Sequence, residues 1–137
     1  MRILIVEDDF ASRKLMQKFL SPYGVCDAVV DGEAAIDAFT DSLKNNQPFD
    51  LVCLDIMLPK KDGQAVLKAI RGLESARGIA GTEGVKVIMT TALGDSQKIM
   101  SAFRSQCERY LTKPVTRQCL LEEMKELGFL SDDAAAD

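Results

Sequence analysis

The strongest constraint on this chain is an alternation. Five short apolar runs stand apart along it: "RILIV" (2–6), "VCDAVV" (25–30), "DLVCL" (50–54), "VKVIMT" (85–90) and "RYLT" (109–112). The first, third and fourth are apolar nearly throughout, as parallel strands covered on both faces must be. The segments between them repeat at helical spacing. Ala11, Leu15, Met16, Phe19 and Leu20 share one side of a helix, and so do Ala35, Ile36, Phe39 and Leu43. Val66, Leu67 and Ile70 follow, then Ile99, Ala102 and Phe103, and last Leu120, Leu121, Met124 and Leu127. "SPYG" (21–24), "NNQPF" (45–49) and Gly128 close three of these helices. Strand and helix alternating five times predicts an α/β domain with a parallel sheet. The natural arrangement is a flavodoxin-like (βα)5 doubly wound sheet with strand order 2-1-3-4-5.

One connection is long for such a fold. "RGLESARGIAGTEG" (71–84) holds four glycines and predicts a third helix running to about Arg77, followed by a loop. At the other extreme, "SDDAAAD" (131–137) has nothing to bury and is expected to be a disordered acidic tail. Residues 1–130 are then a single domain, a size that can bury a real core.

The charges raise a sharper question. The first strand runs directly into three adjacent carboxylates, Glu7, Asp8 and Asp9. Two like charges about 4 Å apart repel by roughly 4 kcal/mol at a protein-surface dielectric. In an open parallel sheet, ligands bind beyond the carboxyl ends of the strands, where the strand order reverses. There the third strand delivers Asp55, the fourth Thr90 and Thr91, and the fifth Lys113 and Pro114. The fold therefore collects carboxylates, a hydroxyl and an ammonium at one spot. Carboxylate oxygens with carbonyls and waters make the octahedral oxygen site that Mg²⁺ prefers, and Mn²⁺ accepts the same donors. A carboxylate beside such a cation can act as a nucleophile towards a phosphoryl group.

Several function classes fall away. The chain has no histidine, so triads built on a histidine base are excluded and a His/Cys zinc site has no imidazole to use. Cysteines 26, 53, 107 and 119 form no C-x-x-C pair; Cys53 reads as a core residue and the others as parts of packed surfaces. Net charge is −4 and the densest basic spot is Lys60-Lys61, which makes a poor nucleic-acid footprint. The N-terminal apolar run is too short for a signal peptide or a membrane span, so a cytoplasmic address without membrane contact is expected.

Four motifs in order, "VEDD" (6–9), "DIMLPKKDG" (55–63), "TTA" (90–92) and "YLTKP" (110–114), resemble the receiver domain of two-component response regulators, of the stand-alone chemotaxis type. The handedness and strand order above are also that family's. The resemblance implies that Asp55 is the phosphoacceptor and Asp8 a direct Mg²⁺ ligand, with Glu7 acting mainly through water and Met57 contributing its backbone carbonyl. Thr91 would follow the phosphoryl group as the switch residue, and Lys113 would pair with a phosphoryl oxygen across a cis bond to Pro114. Tyr110 matches the aromatic that turns inward on activation, changing the face made by the fourth helix, fifth strand and fifth helix. Asp9 falls outside the family's acid pair and reads as a helix cap.

Two departures from the family pattern stand out. The turn before the fifth strand, "SQCERY" (105–110), lacks the usual glycine. The two positions that tune attack by water, two after the acceptor and two after the switch threonine, are the apolar Met57 and Leu93. Slow self-dephosphorylation is the expectation. The resemblance also implies the partners: a sensor histidine kinase or a histidine phosphotransfer protein as donor, and a separate output protein or homodimer partner as receiver of the signal, because no output domain is expected after the last helix. The protein would catalyse its own phosphorylation and dephosphorylation and nothing else. Two rival readings are a receiver-shaped interaction module that is silent to phosphorylation and an aspartyl-phosphate phosphatase. The silent module is disfavoured by the full set of acids and Lys113. The phosphatase is disfavoured because Met57 stands where such enzymes place a second Asp.

Overall fold

The computed structural model describes residues 1–79, 83–92 and 107–131. The helix expected around Ile99, Ala102 and Phe103 lies outside them, as do Leu93, residues 105–106 of the glycine-free turn, and residues 132–137 of the tail.

The elements follow the alternation of the sequence. Strand β1 (Arg2–Val6) leads to helix α1 (Phe10–Leu20), a 3-10 turn (Ser21–Tyr23), β2 (Val25–Val29) and α2 (Gly32–Lys44). Then come β3 (Leu51–Asp55), α3 (Gly63–Ala76), β4 (Lys86–Thr91), β5 (Arg109–Thr112) and a C-terminal helix, Arg117–Glu126. All five strands pair in parallel in the order β2-β1-β3-β4-β5, the expected flavodoxin-like sheet. No described helix is long and apolar enough to cross a membrane.

Helix starts are set locally. Asp9, Asp31, Asp62 and Thr116 are the N-caps, each accepting a hydrogen bond from the backbone amide three residues on. Each cap satisfies a donor that the first helical turn leaves free. Helix α3 stops at Ala76, and Gly78 follows in the left-handed region at φ 76°, as a helix end followed by a loop requires.

Side chains alternate across the strands, so the sheet buries two faces. Leu4, Val6, Val52, Leu54, Val87 and Met89 pack under α2 and α3. Ile3, Ile5, Leu51, Cys53 and Ile88 pack under α1 and the C-terminal helix, with Leu20 and Leu120 closing over them. Full burial of each such side chain stabilises the fold by about 1.5–3 kcal/mol. That core is what allows the sheet's edge to carry opposed charges. Ala11 and Leu15 differ from the helical-face expectation: both are exposed, because α1 turns its Met16 and Leu20 inward instead.

Strands β3 and β4 each run one residue later than the apolar runs predicted, so Asp55 and Thr91 close their strands rather than follow them. Ladder register pairs Val6 with Leu54, Asp55 with Thr90 and Thr91 with Thr112, so the central strands end nearly level.

The opposite, amino-terminal end of the sheet carries a polar network. Arg71 on α3 donates to Glu74 at 2.8 Å, to the Val85 carbonyl at 2.9 Å and to Glu108 at 2.8 Å. Glu74 also accepts from the Val85 amide and Glu108 from the Val87 amide, at 2.6 and 2.8 Å. These bonds tie the end of α3 to the starts of β4 and β5, and so anchor the long glycine-rich connection.

Candidate functional site

Backbone hydrogen bonds carry the ladder one residue beyond the strands. The Glu7 amide donates to the Val29 carbonyl (3.1 Å), Ile56 to Thr90 (3.0 Å) and Lys113 to Thr91 (2.7 Å). Glu7 and Lys113, although outside the strands, are therefore placed as firmly as strand residues. The reach of their side chains brings them together. The Lys113 ammonium lies 2.6 Å from a Glu7 oxygen and 2.8 Å from a carboxylate oxygen of Asp55.

Glu7, Asp8 and Asp55 each offer a carboxylate oxygen, and the three oxygens lie within 4.8 Å of one another. Glu7 and Asp55 are buried and Asp8 is exposed. Backbone amides hold two of the groups: Asp9 donates to Glu7 at 3.2 Å and Met57 to Asp55 at 3.1 Å. Arg13, one turn into α1, donates to the carbonyls of Glu7 and Asp8 at 3.1 and 3.3 Å. This set is all oxygen, with neither thiolate nor imidazole, and fits a hard divalent cation.

The electrostatics register the crowding. Burial pushes the Glu7 carboxyl up to about 7, against the opposing pull of the Lys113 hydrogen bond, and the neighbouring Asp55 adds to the rise. A cation beside it would favour the charged form again. For Lys113, burial works against the charge, but the hydrogen bonds to Asp55 and Glu7 outweigh it and the ammonium is held above its ordinary value. Asp9 plays a different part. Its carboxylate accepts from the Ser12 amide at 2.8 Å, which lowers its pKa and makes it the cap of α1, as the sequence led us to expect.

The remaining predicted residues are placed as follows. Thr91 is fully buried, and its hydroxyl is a buried polar atom with no hydrogen-bond partner among the described residues. Thr90 faces the other side of the sheet and lines a cavity of about 360 Å³ beneath α1, with Leu15, Phe19 and Cys53. Met57 is 60% exposed and Tyr110 38% exposed, so both side chains reach the surface. The Lys113-Pro114 bond is cis. Leu93 lies outside the described residues. Among the cysteines, Cys53 and Cys107 are buried, Cys26 is half-buried and Cys119 is exposed, and none of the four is in a disulfide among the described residues.

Two contributors were not singled out from the sequence. Arg13 gives no local signal, since a basic residue on an exposed helix turn is ordinary. Gly63 does give one, as the last letter of "DIMLPKKDG". A Cβ there would lie 2.5 Å from the Asp55 carbonyl oxygen and 2.6 Å from the Ile56 Cα, so only glycine lets α3 start so close to the end of β3.

The likenesses to known proteins agree with this fold. The family model for the response regulator receiver domain matches residues 3–125. A chemotaxis protein CheY homolog of Campylobacter jejuni is 27% identical over the full length of both chains. The regulatory protein VanRB of Enterococcus faecalis is 33% identical over 92% of this chain and 51% of its own. Among solved structures, the CheX-CheY-BeF3-Mg+2 complex from Borrelia burgdorferi matches with a TM-score of 0.76 and 26% identity, covering 96% of this chain and 90% of that one. A parallel sheet in this order, with a family model matching nearly the whole chain, leaves one assignment: the protein belongs to the response regulator receiver domain family.

Proposed function

We propose that this protein is a response regulator that takes a phosphoryl group on Asp55 and changes its partner-binding face in response. The observation that carries the reading is the meeting of Glu7, Asp8 and Asp55 within 4.8 Å, bridged by Lys113. Glu7, Asp8, Asp55 and the Met57 carbonyl would hold Mg²⁺. When bound, that ion draws in the phosphoryl group and offsets its charge during transfer.

The chain's own residues do the rest. An Asp55 carboxylate oxygen attacks the phosphorus, and the bond from phosphorus to the donor's leaving group breaks, giving an aspartyl phosphate. The Met57 amide, at 3.1 Å from one Asp55 oxygen, fixes the rotamer of the carboxylate. Lys113 reaches the other oxygen and is poised to follow charge onto the phosphoryl group as a donor. The Thr91 hydroxyl, buried without a partner, gains one by turning to a phosphoryl oxygen. Tyr110, exposed at the β5 edge, then moves into the space Thr91 leaves and biases the output face between two packings. The phosphodonor is a sensor histidine kinase or histidine phosphotransfer protein, the output a separate protein or a second copy, and the setting cytoplasmic. Apolar Met57 beside the acceptor slows attack by water; Met57→Asn should shorten the phosphoryl lifetime.

The test is direct. Purified protein incubated with Mg²⁺ and acetyl phosphate should gain the mass of one phosphoryl group, and Asp55→Asn or chelator should abolish the gain. Absence of an adduct together with absence of metal binding would instead support a phosphorylation-silent module. Sustained phosphate release over many turnovers would support a phosphatase.

A further inference from the structure

The loop between β3 and α3, residues 56–62, carries the Met57 amide and carbonyl. It is held at its ends: Gly63 donates to the Ile56 carbonyl at 2.9 Å, and Asp62 caps α3 through the Ala65 amide at 2.9 Å. Its middle has a less obvious support. Lys61 donates to the Pro59 carbonyl at 2.8 Å, and Lys60 sits in the left-handed region at φ 67°, a backbone conformation that non-glycine residues seldom adopt. Something outside the loop must keep this tight turn in place.

That support is the start of α2, about thirty residues earlier in the chain. Gly32, the first residue of α2, is buried against the loop. A Cβ at position 32 would stand 2.2 Å from the Lys61 carbonyl oxygen, 2.9 Å from its carbonyl carbon and 2.7 Å from its Cβ. Two of these three atoms are backbone and the third is a Cβ fixed to it, so a side chain there could be accommodated only by moving the loop or the helix. The neighbouring Asp31 adds a second hold. One of its oxygens caps α2 by accepting from the Ala34 amide at 2.8 Å, and the other faces the Lys60 ammonium at 3.6 Å.

We infer that Gly32, with Asp31, is a positioning residue for the metal: by lying flush against Lys61 it sets the height of the 56–62 loop and hence of the Met57 carbonyl. Gly32 touches neither metal nor phosphoryl group; it acts through the loop. Helix propensity argues in the opposite direction, since alanine is the better residue in a helix. A glycine in the first turn of α2 is therefore explained by the contact rather than by the helix. The inference rests on the proposed role of this loop as a metal ligand.

Gly32→Ala should raise the Mg²⁺ dissociation constant about tenfold by titration calorimetry, the usual scale for loss of an outer support of a metal ligand. In chelator, with no metal present, the amide resonances of residues 56–62 should shift while those of the core strands stay put. The rate of phosphorylation by acetyl phosphate should fall at limiting Mg²⁺ and recover at saturating Mg²⁺. A merely structural glycine would lower the melting temperature and leave the affinity of the folded protein alone. Lys60→Gly supplies an independent arm, because glycine accepts the left-handed backbone while the hold on Asp31 is lost and the loop gains freedom. By charge alone, removing a cation near the site would tighten Mg²⁺ binding; loss of the hold loosens it, by a predicted two- to threefold change of the kind seen for weak outer contacts. Binding within twofold of wild type in Gly32→Ala with unmoved loop resonances overturns the inference, as does equal or tighter binding in Lys60→Gly should Gly32→Ala fail to fold. If wild type itself binds no Mg²⁺, the metal reading fails first and on its own.

Discussion

The two ends of the sheet use similar parts to opposite effect. At the amino end, Arg71 reaches Glu74, Glu108 and a carbonyl, and two backbone amides complete the carboxylates at 2.6 and 2.8 Å. At the carboxyl end, one ammonium is shared between two buried carboxylates, a third stands beside them, and a buried hydroxyl has no partner among the described residues. A guanidinium is a rigid fork that matches several acceptors at once, whereas an ammonium is a point charge on a flexible stem. The first arrangement closes a structure. The second leaves charge and hydrogen-bonding capacity in reserve, which is the condition for binding something else.

The contrast can be broken most forcefully at the amino end. Arg71→Met keeps the alkyl packing but strands two largely buried carboxylates, which should cost about 3 kcal/mol in urea unfolding. Mg²⁺-dependent phosphorylation by acetyl phosphate should survive in the folded fraction, since that network touches none of the acids at the other end.

A pH titration probes the carboxyl end. Glu7 has a folded pKa raised from 4.5 to about 7, so between those values the folded protein holds a proton that the unfolded chain has released. Its contribution to stability is whole below about 4.5 and is lost as the pH rises through about 7. In chelator, wild type should lose about 1–3 kcal/mol relative to Glu7→Gln between pH 5 and pH 8. Unfolding midpoints measured at both pH values check this, and added Mg²⁺ should shrink the wild-type loss.

The smallest effect carries the opposite sign. Thr91→Val keeps the shape of the side chain and removes an unpartnered buried hydroxyl, so it should stabilise the protein by about 1 kcal/mol. The same variant should still accept a phosphoryl group yet respond to it weakly, read from the Tyr110 ring resonances. A gain in stability bought with a loss of response would mark Thr91 as a residue kept for its switch role.

Much of this was legible in the chain. Continuous apolar runs and period-3.6 spacing marked the strands and the described α-helices, and right-handed crossovers left 2-1-3-4-5 as the natural strand order. The acids and Lys113 could be placed together because strand ends in a parallel sheet converge. What escaped was made by contacts between distant segments. Leu15 falls on the apolar side by spacing but is exposed, while Met16 and Leu20 of the same helix are buried. The strand ends of β3 and β4 moved by one residue because Asp55 and Thr91 keep backbone pairing that their polarity would not suggest. Gly32 reads in sequence as an ordinary Asp-Gly helix start, and the Lys61 backbone that it meets is invisible until α2 and the β3–α3 loop are side by side. Arg71 likewise looks like one more cation on an exposed helix face until Glu108 folds back against it.

The bridge from Lys113 to Asp55 spans 58 positions of chain, and it has an implication for biosynthesis. Translation proceeds from the N-terminus, so Glu7, Asp8 and Asp55 leave the ribosome well before the lysine that shares their charge. Strands β1 and β3 are adjacent and can pair at that stage, which brings the acids together with no Lys113 to meet them. The site acquires its ammonium only when β5 docks on β4 and the Lys113 amide bonds to Thr91. Assembly of the site thus waits for β5, and a nascent chain stalled before that strand carries the acids without the residue that completes them.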